Sequence, residues 1–114
     1  MTNKILKILN DYTALTLDKD LFYLEMPLGA TGMWLMDRQT TKAPTGYKEY
    51  DIFYRGKTKQ SAINNIEYFN DAIDYMQQCE INGKIFKLER RFEWDYLEKD
   101  AEGYFVFANT LRLL

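Results

Sequence analysis

At 114 residues the chain has the size of one domain, and its 46% hydrophobic and 16% aromatic content supplies a core and argues against disorder. A formal net charge of -2 gives no electrostatic reason to hold nucleic acid by its backbone. No apolar run approaches the length of a membrane span and no small-residue cleavage site follows the N-terminus, so neither a span nor a signal peptide is expected; a single cysteine, Cys79, fits a reducing compartment.

The first element is a helix running to about residue 13, capped by Thr2 or Asn3. Ile5, Ile8, Leu9 and Tyr12 fall on one face of it, with Leu6 beside them. Asp18 and Asp20 break that pattern. A short strand over 21–26 follows, then Pro27, Gly29 and Gly32 as punctuation, then a second strand over 33–38. Residues 40–46, with Pro44 and Gly46, read as a flexible loop. The third strand, 47–55, sets Tyr50, Ile52 and Tyr54 on one face and Glu49, Asp51 and Arg55 on the other. The basic run that starts at Arg55 and includes Lys57 and Lys59 reads as a solvated loop between strand and helix, and it lacks the upstream glycine of a phosphate-binding loop.

The most secure helix spans 61–78. Ala62, Ile66, Phe69, Ile73 and Met76 recur at spacings of four and three, with Ser61 placed as the cap and Asn82-Gly83 as the stop and turn signal. Beyond it, residues 84–97 alternate, with Phe86, Leu88, Phe92, Trp94 and Tyr96 in phase. Residues 104–114 alternate as well, with Phe105, Phe107, Leu111 and Leu113 in phase. Pairing Tyr96 with Phe105 sets Trp94 opposite Phe107 and Leu88 opposite Leu113, an antiparallel hairpin in one register. Strand 84–97 would extend ~46 Å at ~3.3 Å per residue, whereas a small domain is about 30 Å across. Either this strand bends at a bulge or its end leaves the domain and meets another subunit, and the second alternative makes the chain an assembly part. The fold expected is α+β, in the order α-β-β-β-α-β-β. It has an antiparallel or mixed sheet of about five strands, with both helices on one face of a single domain over 1–114.

Catalytic chemistry has little to draw on. Histidine is absent, which removes the commonest general base and metal ligand. Ser61, the only serine, fits a helix cap better than a nucleophile, and Cys79 sits at a helix C-terminal end that disfavours a thiolate. The carboxylate pairs Glu93/Asp95 and Asp71/Asp74 read as solvated faces. No catalytic residue, metal or cofactor is therefore expected. The tyrosines and tryptophans fall on faces the helices should cover, so core packing is favoured over stacking on single-stranded nucleic acid.

The element order and length carry a resemblance that spans essentially the whole chain. So does the passage from Glu49 through Tyr50, Asp51, Ile52, Phe53, Tyr54 and Arg55 into Gln60, Ser61, Ala62 and Ile63. It resembles the small minor capsid proteins of tailed phages of Gram-positive bacteria, which in turn are similar to the tail-terminator proteins of long-tailed phages. The resemblance implies a virion protein, assembled in the host bacterial cytoplasm as a homo-oligomeric ring, commonly a hexamer. Such a ring sits on the tail-tube protein, stops tube growth and offers the head-completion or connector protein its docking surface. DNA passes through the lumen without specific binding, and no membrane is involved.

The candidate subunit or partner contacts are Met33, Trp34 and Met36 beside the glycine-rich bend, and Arg90, Arg91, Asn109 and Arg112 on the hairpin. Arg90 and Asn109 interrupt the apolar face nearly side by side, which suits the point where the strand leaves the core. The candidate docking loop is Thr40, Thr41, Lys42, Ala43, Pro44, Thr45 and Gly46. Three other classes remain open: a small acidic inhibitor or immunity-type protein that binds one partner, a single-stranded nucleic-acid-binding module and, last among them, an enzyme that uses only carboxylates with a divalent metal.

Overall fold

The structure is a computed structural model that describes residues 2–37, 48–75, 79–81, 83–90 and 93–113. Helix α1 (Thr2–Tyr12) is followed by β1 (Leu21–Tyr23), β2 (Gly32–Asp37) and β3 (Lys48–Gly56), then by helix α2 (Lys59–Tyr75). The C-terminal part contains β4 (Cys79–Ile81), β5 (Lys84–Phe86), β6 (Leu88–Arg90), β7 (Asp95–Lys99) and β8 (Phe105–Leu113). Six strands form one sheet in the order β1-β2-β3-β8-β6, with β7 also paired to β8, while β4 and β5 form a separate two-stranded ribbon. β1 runs parallel to β2 and every other pair is antiparallel, so the sheet is mixed and the fold is α+β.

Strand alternation decides which face is covered. Met33, Leu35, Tyr50, Ile52, Tyr54, Leu111 and Leu113 share one face by register, joined by Leu21 and Leu88 from the flanking strands. They meet Ile5, Leu6, Ile8 and Leu9 of α1 and Ala62, Ile66, Phe69 and Ile73 of α2 in a single buried cluster. Both helices therefore pack on this side. Ser61 lies inside α2 and is not its cap: the Ser61 N–H donates to Thr58 Oγ1 (3.1 Å), which makes Thr58 the capping residue. Met76, the last member of the helical stripe read from the sequence, lies outside the described residues. Cys79 opens β4; it is buried, and its thiol donates to the Phe86 carbonyl (3.3 Å).

The long C-terminal ribbon stays with its own body. Leu88 pairs with Leu113 as expected, but Tyr96 lies opposite Phe107, two places from the Phe105 that a constant register requires. A further shift falls between Tyr96 and Glu98. Each extra residue bends and twists the strand, so β6 and β7 both stay on β8, while β5 turns aside to pair with β4. The first of the two alternatives, a bend at a bulge, is what the chain adopts. Its longest dimension, 41 Å, needs no overhang. Arg90 and Asn109 stay near one another, because the register changes only beyond Arg90, but neither marks an exit of the strand from the core. Arg90 faces Leu111, and Asn109 is buried opposite Ile52.

The first strand ends at Tyr23, short of the 21–26 expected. Leu24 takes a positive φ of 72° while its N–H donates to the Leu35 carbonyl (2.8 Å), and that turns the chain out of the sheet. Residues 24–31 then cross back so that β2 starts beside β1. Gly32 makes the landing: its φ is 129°, and a Cβ there would stand 2.3 Å from the Asp20 carbonyl oxygen.

Candidate functional site

The face of the sheet turned away from the helices has Phe22, Trp34 and Phe53 in one row across β1, β2 and β3. Trp34 stacks on Phe53 with ring centroids 4.9 Å apart and an interplanar angle of 17°. Both rings are half-buried, as is Met36 beyond them. Beside this row lies an ion-paired ladder. Glu49, Arg112 and Glu89 stand opposite one another on β3, β8 and β6, with Arg112 Nε 3.3 Å from Glu49 Oε2 and Nη1 3.8 Å from Glu89 Oε1. Strand β7 ends the main sheet beside β8 with all five residues exposed, Tyr96 and Leu97 among them.

Arg55 closes one end of this face. The expectation of a solvated basic run fails at its first member, because the Arg55 side chain is only 6% exposed. Its Nη2 lies 2.7 Å from Glu102 Oε1, and its Nε stands 2.8 Å from Asp100 Oδ2 as a close ionic contact without hydrogen-bond alignment. The guanidinium also sits 4.3 Å over the Tyr104 ring. Two charges and a ring satisfy what burial would otherwise penalise. Glu102 reaches the crossover as well, accepting the Gly29 N–H at 3.2 Å. Between crossover and turn lies a notch of about 350 Å³ lined by Leu24, Glu25, Met26, Trp34, Arg55, Asp100, Ala101 and Glu102. Sequence reasoning did not find this notch. The available signal was the Asp100/Glu102 pair in the hairpin link, which had no role there beyond polarity.

The candidate residues named from sequence separate into groups. Trp34, Met36 and Arg112 share the uncovered face. Met33 points the other way and is 1% exposed, so it belongs to the core, as does Asn109. Arg90 is tied to α2, donating through Nε to Asp74 Oδ1 (3.1 Å) and through Nη2 to Asp74 Oδ2 (2.7 Å), with Glu93 at 3.6 Å. Arg91 and the loop Thr40–Gly46 lie outside the described residues.

The helix side has a second hollow of about 240 Å³, lined by Thr13, Asp20, Thr31, Asn65 and Tyr68 among others. At its wall the Asn65 side-chain amide donates to the Tyr54 hydroxyl (2.7 Å), and burial pushes the Tyr54 phenol up from its usual range. Burial likewise raises the Tyr50 phenol, whose oxygen has no hydrogen-bond partner among the described residues, and the Cys79 thiol. All three shifts favour the neutral, unreactive form. Among the described residues no three acidic or thiol groups converge to hold a metal ion, and no helix is long and apolar enough to cross a membrane. Comparison of the chain with protein-family models and with curated proteins returned no match.

Proposed function

We propose that this chain is a structural subunit of a phage or prophage ring of the tail-terminator type. It acts by fitting surface to surface at the end of a tail tube and by presenting its other side to the head. The observation that carries the reading is the division of the sheet: both helices occupy one face, while the other displays the half-buried Trp34/Phe53 stack and Met36 on β2 and β3, and beyond β8 the sheet ends in the fully exposed strand β7. Aromatic and methionine side chains beside an open strand edge are the materials of subunit contacts. The reading no longer depends on an overhanging ribbon, since that ribbon is completed within the chain.

The test is light scattering over a concentration series, paired with electron microscopy of the largest species. Closed rings larger than a dimer are expected, and Trp34→Ala should shift them to smaller species while the circular dichroism of the monomer is retained. A wild-type chain that stays monomeric throughout, or one that binds single-stranded DNA with a steep salt dependence, overturns the reading.

A further inference from the structure

We propose that subunits join head to tail. The β4–β5 ribbon of one copy seats Lys84, Ile85 and Lys87 in the notch that Leu24, Met26 and Trp34 form with Glu25, Asp100 and Glu102 on the next. This rests on the ring reading and names the two surfaces that would close it.

Position is the first argument. Leu88, two residues past the end of β5 and next to Lys87, pairs with Leu113 at one end of β8. Arg55 pairs with Val106 near the opposite end, next to the turn that supplies Asp100 and Glu102. Eight steps from Phe105 to Leu113 at ~3.3 Å each separate the two ends by about 26 Å. A donor surface at one end and an acceptor at the other cannot satisfy each other within one subunit. They do so between successive copies, in the heterologous contact that closes into rings.

Chemistry is the second. The notch surrounds one guanidinium with three carboxylates, those of Glu25, Asp100 and Glu102, which leaves a surplus of negative charge at an apolar wall. Among the described residues Glu25 has no ion pair, and neither have Lys84 and Lys87. The ribbon offers the complement. Ile85 is 63% exposed, and Lys84 and Lys87 flank it on an exposed surface. The ribbon is also braced for the purpose: a two-stranded hairpin alone is marginal in water. Here Cys79 is buried in the core and the Glu80 N–H donates to the Tyr12 hydroxyl (3.1 Å).

The third argument is Leu24. A leucine at a φ of 72° occupies a region that side chains beyond glycine and asparagine rarely enter, yet its side chain is 54% exposed. The monomer gains little burial from that conformation. A partner that fills the notch gains an apolar wall.

The decisive experiment is cross-linking by cysteine. Leu24→Cys and Ile85→Cys made in one chain should oxidise to a covalent ladder that ends at the ring. The two single variants mixed in equal amounts should give only a dimer linked from 24 to 85. In parallel, Lys84→Glu with Lys87→Glu should weaken association about tenfold or more, and raising the salt concentration should weaken the wild type in the same direction. If wild type forms rings but the ladder is absent, or links 24 to 24 or 85 to 85, the pairing is wrong and the ring reading survives. A wild type that never assembles removes both.

Discussion

Arg55 Nε stands 2.8 Å from Asp100 Oδ2, and that contact ties the turn of the last hairpin to the third strand across the uncovered face. Asp100 is held below the ordinary carboxylate range. The leading cause is the Tyr104 N–H donated to its Oδ1 (2.9 Å), with Arg55 and the Glu102 N–H adding to it. A carboxyl whose folded value lies below its unfolded value contributes stability above the unfolded value, and loses it as pH falls through the folded one. Asp100→Asn keeps the acceptor oxygen and removes the charge. Its thermal midpoint should therefore lie below wild type at neutral pH and converge with it in strong acid, giving a shallower acid limb in a pH series of melts.

Gly32 and Gly29 form a matched pair for separating strain from collision. Both have positive φ, 129° and 77°, but an added Cβ meets the Asp20 backbone at Gly32 and nothing within 4 Å at Gly29. Gly29→Ala should cost about 1–2 kcal/mol for the left-handed conformation alone. Gly32→Ala adds a clash that only backbone movement relieves, and should cost about 2–4 kcal/mol from strain and overpacking together. Denaturant midpoints at unchanged slope would show the difference; equal costs would mean that the β1–β2 crossover is not held against Asp20.

The start of α2 gives a test between two hydroxyls. Thr58 Oγ1 accepts the Ser61 N–H, whereas Ser61 is exposed within the first turn. Thr58→Ala should destabilise by about 1 kcal/mol through the lost cap. Ser61→Ala should stay within about 0.5 kcal/mol of wild type. Urea titration of the two variants side by side decides it, and a reversed order would move the helix start to the place the sequence suggests.

Arg90 forms an internal tie in this structure, holding β6 to α2 through Asp74. Its bond to Asp74 raises the guanidinium's proton affinity, but Asp74 is half exposed, so solvent screens the pair. Arg90→Ala should lower stability by about 0.5–1 kcal/mol and leave the association constant unchanged. A variant that melts like wild type but assembles poorly would restore Arg90 to an interface.

Local patterns in the chain were sufficient to place both helices, the faces of β3 and β8 and the α+β class. Apolar spacing of three and four around Ile66 and Phe69, and alternation through Tyr50, Ile52 and Tyr54, are written within single elements and survive folding unchanged. Trp34 and Met36 were named as contact candidates for their place beside the glycine-rich bend, and the register sets both on the uncovered face. Met33 was not separable from them, since one residue of phase sends a side chain to the opposite face.

Only the tertiary structure could decide register, bulges and the company that charges keep. The shift that sets Tyr96 against Phe107 arises where the ribbon must curve over its own sheet, and the burial of Arg55 requires Asp100 and Glu102 to arrive from forty-five or more residues further along the chain. The sequence determined which side chains each element turns to one side. Long-range contacts determined which of those sides would be covered, because closing a loop and desolvating a charge depend on partners that no local window contains.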